Sequence, residues 1–158
     1  MTTLALTLRS AQAEDAELLL RWRNDPSVRS QSFDSLEIEA ETHARWFAGK
    51  LAAVDTRIYV GELDGRPVGQ ARIDRRDDAT GEISVSVDPD DRGRGVGPAL
   101  IASATRRGAD ELGLSLVLAT IKEGNEASQR AFRRAGYTDE RLEHNGEDGD
   151  VVVLVWRR

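Results

Sequence analysis

A segment rich in glycine and arginine carries the most suggestive chemical pattern in this chain: Arg92, Gly93, Arg94, Gly95, Val96 and Gly97. Its three glycines lack Cβ atoms, so the backbone can turn sharply and approach a ligand closely. The segment precedes a predicted helix, whose unpaired N–H groups and dipole favour an anion at the N-terminus. The two arginines add charge-assisted donors. These features predict a site for a phosphate group.

The spacing of the glycines excludes two common phosphate-binding motifs. A Walker motif ends in Gly-Lys followed by Ser or Thr, and the chain contains no such ending. The Rossmann motif separates its second and third glycines by two residues, whereas here single residues separate all three. An isolated Arg-Gly-Arg-Gly run is also compatible with a plain surface turn. The elements around the segment therefore decide between these readings.

Hydrophobic periodicity predicts one α/β domain covering residues 1–158. Leu4, Leu6 and Leu8 alternate as in a first strand. Further strands are predicted over residues 57–63, 67–74, 82–87, 114–121, 137–144 and 150–156, and helices over 14–23, 36–51, 96–112 and 125–136. Asp64-Gly65 predicts a hairpin turn, and a second turn around Asn145-Gly146 would join the last two strands.

Composition restricts the cofactors and partners. The chain has no cysteine, which excludes disulfides, zinc–thiolate sites and thiol nucleophiles, and no metal is expected. A net charge of −6 argues against a nucleic-acid partner and against an anionic membrane surface. The N-terminus does not read as a signal peptide, and no apolar stretch approaches the length of a membrane span. A cytoplasmic protein is the expectation.

The glycine segment resembles the Arg/Gln-x-x-Gly-x-Gly/Ala signature of the GNAT N-acetyltransferases, matched by Arg92, Gly95 and Gly97. Three flanking segments extend the resemblance in order. Residues 83–89 look like the strand before that loop, residues 116–128 like the family's fifth strand and the asparagine that follows it, and residues 132–137 like its closing segment. The resemblance covers the chain and implies the GNAT acyl-CoA N-acyltransferase fold, a mixed α/β sheet with splayed central strands and flanking helices.

The resemblance also implies acetyl-CoA as the cosubstrate and assigns residues to it. The glycine segment would bind the pyrophosphate, and Pro98, which lacks an N–H, would contribute nothing there. The strand that carries Val87 would bulge and splay from its neighbour, so that the pantetheine arm enters the gap. The residues expected to contact the cosubstrate are Val85, Ser86, Val87, Arg92, Gly93, Arg94, Gly95, Val96, Gly97, Asn125, Ser128 and Phe132.

Without a cysteine, direct attack of an amine on the thioester is the simplest chemistry, and the attack requires a general base. Glu82 is the leading candidate because it opens the splayed strand, where some GNAT enzymes place a catalytic glutamate. A solvated carboxylate at a strand end is the alternative. His43 has a suitable pKa but lies on an apolar helix face. Tyr59 is a further catalytic candidate, since Phe132 stands where many members have tyrosine.

The acceptor is indicated only by the first half of the chain. Residues 20–29 resemble the opening segment of the GNAT branch that contains ribosomal-protein N-terminal and amino-sugar-nucleotide acetyltransferases, and residues 43–47 and 69–74 are closer to the second group. The expected substrate-binding residues are Trp22, Arg23, Asn24 and Arg29. The predicted acceptor is a small-molecule primary amine, with an amino sugar or amino-sugar nucleotide favoured. A protein N-terminus, a non-catalytic acyl-CoA-binding module and assembly as a homodimer remain open.

Overall fold

The computed structural model describes residues 5–144 and 149–158, and the strands within them form one mixed sheet in the order β1-β2-β3-β4-β5-β7-β6. The strands are β1 (Leu6–Ser10), β2 (Thr56–Leu63), β3 (Arg66–Arg75), β4 (Thr80–Val87), β5 (Leu116–Lys122), β6 (Thr138–His144) and β7 (Asp150–Arg157). The α-helices are α1 (Ala16–Asn24), α2 (Pro26–Arg29), α3 (Ala40–Ala52), α4 (Val96–Leu112) and α5 (Glu126–Arg134). Single 3-10 turns cover Ala13–Asp15 and Pro89–Asp91.

Helices cover both faces of the sheet, because the strand β2 buries apolar side chains on each of its two faces. Side chains alternate along a strand. Tyr59 therefore packs with Leu100 of α4 on one face, whereas Ile58 and Val60 pack with Phe47 of α3 on the other. The two faces are called the α4 face and the α3 face below.

The helix α4 begins and ends where the sequence predicts, because a glycine with positive φ lies on each side of it. Gly95 has a φ of 81° and Gly113 a φ of 67°, a region that residues with a Cβ rarely adopt. Within the helix, a Cβ added to Gly108 would lie 2.4 Å from the Ile73 side chain. The glycine thus allows α4 to lie close against the sheet.

The two central strands β4 and β5 separate soon after they meet. Their parallel pairing covers Thr80 with Leu116, Gly81 with Val117 and Glu82 with Leu118. The predicted splay is therefore confirmed. The predicted bulge in β4 is wrong, because the pairing of β3 with β4 runs without a register shift from Gly69–Val87 to Arg75–Gly81.

Two segments near α3 differ from the prediction. The predicted helix over residues 36–51 begins only at Ala40, because the main chain of Ile38 is bound to the Asn24 side chain in an extended conformation. The short helix α2 was not predicted; Asp25 caps it and Pro26 begins it. Leu4 and the Asn145-Gly146 turn lie outside the described residues.

Candidate functional site

A cleft of about 940 Å³ opens where β4 and β5 separate. Residues 83–87 of β4 and 119–121 of β5 form its flanks, the loop before α4 and the helix α5 form one end, and residues 27–28 and 30–34 form another side. The lining includes most of the residues predicted to bind the cosubstrate: Val85, Ser86, Val87, Arg92, Gly93, Gly95, Val96, Gly97, Asn125, Ser128 and Phe132. The splay thus brings together segments that are far apart in the sequence.

The loop before α4 presents unpaired main-chain donors at this cleft. Gly93 and Gly95 have φ values of 74° and 81°, which allow the chain to turn into the helix. The N–H groups of Gly95, Val96 and Gly97 have no hydrogen-bond acceptor within the described residues. Pro98 follows in the first turn of the helix and adds no donor. Three free amides and the positive end of a helix of 17 residues suit a phosphate group.

Trp22 supports this loop from the protein core. Its indole Nε1 donates to Asp88 Oδ2 at 2.8 Å, and the other carboxylate oxygen of Asp88 accepts from the Asp90 N–H at 2.9 Å. The Trp22 side chain is 1% exposed and does not line the cleft. The expectation that Trp22 contacts a substrate is therefore corrected: Trp22 ties α1 to the end of β4.

The carboxylate of Asp91 holds the loop before α4 in place through hydrogen bonds to two arginines. It accepts two hydrogen bonds from Arg66, at 2.8 and 2.9 Å, and one from Arg94 at 2.8 Å. The hydrogen bond from Arg66, together with the nearby charge of Arg94, holds the pKa of Asp91 below its ordinary value. Arg94 was expected to bind the pyrophosphate; instead its guanidinium is paired with Asp91, and the residue does not line the cleft.

Replacing Asp91 with asparagine is expected to lower the free energy of unfolding at pH 7 by about 1–2 kcal/mol, since charge-assisted hydrogen bonds are lost but both arginines are half exposed. The folded-state pKa of Asp91 lies below the ordinary 3.8, so its carboxylate stabilises the fold fully above that value and the effect disappears as the pH falls through the folded-state pKa. Urea unfolding of both proteins at pH 7 and pH 3 measures this. A difference that persists unchanged into strong acid would contradict it.

The helix α5 lies at the same end of the cleft as this loop, and sequence reasoning missed two of its lining residues. Asn125 caps the helix by accepting from the Ser128 N–H at 3.2 Å. Phe132 packs edge-on against Tyr137 with ring centroids 5.0 Å apart. Arg130 and Arg134, one helical turn apart, also line the cleft and add positive charge near the loop. The sequence signal for these two arginines was their spacing of four residues in the helix that follows the predicted capping residue Asn125.

None of the three catalytic candidates lines the cleft, and two of them, Tyr59 and His43, are packed into the protein. Tyr59 is fully buried on the α4 face, and its hydroxyl donates to Glu111 at 2.5 Å. Burial and that carboxylate raise the Tyr59 pKa, so the residue is corrected to a core tyrosine. His43 is 4% exposed and stacks on Phe47 at 5.9 Å, and burial followed by the charge of Arg23 lowers its pKa. His43 is likewise a packing residue and does not line the cleft.

Glu82 lies at the point where the splay begins. It occupies the last position at which β4 pairs with β5, and the next residue, Ile83, already lines the cleft. Its carboxylate pairs with Arg76, with the two closest nitrogens at 2.7 and 2.8 Å. Alternation along β4 places Glu82 on the α3 face with Ser84 and Ser86, both of which line the cleft.

The predicted acceptor residues separate into two groups. Arg23 lines the cleft and donates to the Asp34 carbonyl at 2.6 Å. Asn24 does not line it; its amide holds the main chain of Ile38, with both hydrogen bonds at 2.8 Å. Arg29 also lies outside the lining, with a guanidinium nitrogen 4.0 Å from Glu37. Asn24 is therefore corrected to a structural residue, whereas a substrate contact of Arg29 stays a prediction. Gln70 and Arg72 of β3 line the cleft and were not predicted as site residues.

Comparison with known proteins decides the family. A family model described as an acetyltransferase (GNAT) domain matches residues 5–138. The chain belongs to the GNAT acetyltransferase family. The resemblance to the GNAT family, the GNAT fold and the predicted enzyme class, an acetyl-CoA-dependent N-acetyltransferase, are thereby confirmed, whereas the ribosomal-protein and amino-sugar-nucleotide branch stays a prediction.

Several known GNAT proteins resemble this one along most of its length. "Putative phosphinothricin acetyltransferase YwnH" of Bacillus subtilis (strain 168) is 27% identical over 165 aligned positions, which cover 94% of this chain and 97% of the relative. The spermidine N-acetyltransferase of Vibrio cholerae, solved with CoA and spermine, superposes with a TM-score of 0.87 at 18% identity, covering 96% of this chain and 95% of that one. The aminoglycoside acetyltransferase AAC(6')-Ib, solved with coenzyme A, gives 0.83 at 18% identity and covers 98% and 95%. At this identity the two solved structures support the fold.

The described residues contain neither a candidate membrane-spanning helix nor a candidate metal site. No helix within the described residues is long and apolar enough to span a membrane. The same part of the chain contains no cluster of three or more His, Asp or Glu side chains that could hold a metal ion. Acetyl-CoA is the cosubstrate of this GNAT enzyme.

Proposed function

We propose that this GNAT enzyme acetylates the primary amine of a small molecule by direct attack of the amine on the acetyl thioester. The opening between β4 and β5 carries this proposal. It leads from the free amides at the start of α4 to the α3 face, where Ser84, Ser86 and Gln70 line it. A donor anchored at one end and an acceptor entering at the other would meet between the two strands.

The groups of this chain would divide the chemistry among them. Acetyl-CoA supplies the activated acetyl group when it is bound. We propose that Glu82 removes the proton of the attacking amine, directly or through one water. The main-chain N–H groups on the free edge of β4 would stabilise the oxyanion, and the thiolate would take its proton from solvent. Tyr59 is buried elsewhere and has no part in this scheme.

The proposed acceptor is a small molecule, and an amino sugar or amino-sugar nucleotide stays one candidate within that class. The names of the relatives favour a small molecule, since they refer to phosphinothricin, spermidine and aminoglycosides. The nucleotide is less well supported, because Trp22 and Asn24, expected to meet it, are tied into the protein. A protein N-terminus as acceptor, cytoplasmic location and a homodimer stay predictions. The single domain of residues 1–158 is supported by β6 and β7, which complete the same sheet.

A thiol-release assay tests the proposal against the non-catalytic alternative. With acetyl-CoA and a panel of primary amines, we expect release of free CoA that depends on the amine. Calorimetric titration with CoA, measured separately, reports donor binding without turnover. Tight CoA binding combined with no release from any amine would favour a binding module, and the absence of both would remove the transferase assignment for this site.

A further inference from the structure

We infer that the acceptor end of the cleft contains an anion-binding subsite formed by Arg23 and Arg72, so that the acceptor is a primary amine that also carries a carboxylate or a phosphate-type group. The inference rests on the proposed function and names the class of its substrate. Arg23 belongs to α1 and Arg72 to β3, and both line the cleft.

Arg23 carries a charge that the protein leaves unpaired. Its Nη2 donates to the Asp34 main-chain carbonyl at 2.6 Å, whereas its Nη1 is buried and has no hydrogen-bond partner within the described residues. No carboxylate lies within 4 Å of its guanidinium in that part of the chain, although the protein has 28 acidic residues against 22 basic ones. A buried charged donor without an acceptor is costly. An anion in the cleft would remove that cost.

Arg72 is held in place while part of it remains available. Its Nε donates to Asp74 Oδ2 at 2.8 Å, and its guanidinium carbon lies 5.0 Å from the centre of the Trp46 ring. Asp74 is in turn fixed by Lys50 at 2.9 Å and Thr56 at 2.8 Å. The two η nitrogens of Arg72 have no acceptor among the described residues. A planar group anchored through its Nε is well arranged to donate two hydrogen bonds to an anion.

Both arginines interact with residues of α3. The ring of His43 lies 5.6 Å from that of Trp46, over which Arg72 is placed. The charge of Arg23 reaches His43 and, after burial, is the second cause of its lowered pKa.

The charge of the cleft is opposite to that of the whole protein. Its lining contains the arginines Arg23, Arg72, Arg92, Arg130 and Arg134 but only the aspartates Asp34 and Asp91. Asp91 is neutralised by Arg66 and Arg94. At the acceptor end Asp34 is the acid in the lining, and one oxygen of its exposed carboxylate accepts from the Leu36 N–H. A polycationic amine would meet arginines here instead of carboxylates, and this disfavours polyamines and aminoglycosides as acceptors.

A matched set of acceptors tests the subsite. We would compare initial rates, at saturating acetyl-CoA, for an α-amino acid and its amide, for 2-aminoethylphosphonate and ethanolamine, and for spermidine. We expect kcat/KM to be roughly tenfold to a hundredfold higher for the anionic member of at least one pair than for its neutral partner. The first pair reports a carboxylate and the second a phosphate-type group. Equal rates within both pairs, or a preference for spermidine, would overturn the inference while leaving the transferase function intact.

Variants assign the effect to the arginines. Arg72→Gln should remove most of the preference for the anionic member, mainly by raising the KM for that member. Arg23→Gln should act in the same direction. Arg45→Gln is the matched control, because it removes the same charge from an exposed position on α3, where Arg45 pairs with Glu41. A preference that survives both cleft variants would contradict the assignment.

A binding measurement keeps the test independent of turnover. Trp46 is 40% exposed and in contact with Arg72, so its fluorescence should respond when an anionic amine binds to the CoA-saturated enzyme. The response should be absent with the neutral partner, in Arg72→Gln and in Trp46→Phe. If no amine releases CoA but this response is present, the proposed function fails and the subsite stands. If every anionic amine leaves the fluorescence unchanged while turnover proceeds, the subsite fails.

Discussion

Replacing Gly95 with valine should weaken CoA binding by roughly a hundredfold or more, because each lost hydrogen bond to a charged phosphate is worth about 1.5–3 kcal/mol and about 1.4 kcal/mol is a factor of ten. Gly95 has a φ of 81° and immediately precedes α4, and its own N–H is one of the free donors. A β-branched residue cannot hold this conformation without strain of about 1–2 kcal/mol. The three amides would then no longer converge. Calorimetric titration of the folded variant with CoA measures the loss.

A second glycine of the same helix supplies the control. Gly113 has a φ of 67° at the other end of α4, and a Cβ added there would meet no atom within 4 Å. Gly113→Val therefore carries a similar backbone strain and should destabilise the protein without changing the affinity for CoA. If the two variants bind CoA equally well, the loop before α4 is not the phosphate site.

Replacing Glu82 with glutamine should reduce kcat by about 10²- to 10⁴-fold, the range expected for loss of a general base. The affinity for CoA should be unchanged, because Glu82 lies outside the lining of the cleft and away from the free amides of α4. Thiol release at saturating acetyl-CoA and acceptor measures kcat, and calorimetry measures CoA binding on the same sample.

The partner of Glu82 distinguishes a catalytic carboxylate from a structural one. Arg76→Gln removes the ion pair but keeps the carboxylate at the start of the splay. If Glu82 is the base, Arg76→Gln should retain most of the activity. If both variants lose activity to the same extent, the ion pair matters and the assignment of Glu82 as the base is wrong.

The sequence was most informative where local chemistry determines local structure. The glycines that flank α4 fix its ends at Val96 and Leu112, as predicted, and Asp64-Gly65 forms the predicted hairpin turn between β2 and β3. Asn125 caps α5 as its side chain indicated. In each case one or two residues set the conformation of their own segment, so periodicity and turn chemistry were sufficient.

The sequence largely predicted which segments line the cleft beside α4, whereas the hydrogen-bond partners of individual side chains could not be predicted. Arg94 was expected to face a phosphate but is paired with Asp91, which Arg66 also holds. Trp22 was expected to contact substrate but donates to Asp88, 66 positions away in the sequence. Such pairings depend on how distant elements pack, and nothing in the neighbouring sequence records them. The same reason explains why Arg72 was not identified as a site residue.

Main-chain groups form most of the donor end of the cleft, whereas side chains form the acceptor end. This difference affects how the substrate specificity of the enzyme can change in evolution. The donor end is made largely of main-chain groups on the loop before α4 and on the edge of β4, which most side-chain replacements leave in place. The acceptor end consists of side chains such as Arg72 and Gln70, where one substitution changes the chemistry. A protein of this kind can continue to bind the same acyl donor after many substitutions, while single substitutions at the acceptor end change which amine it accepts.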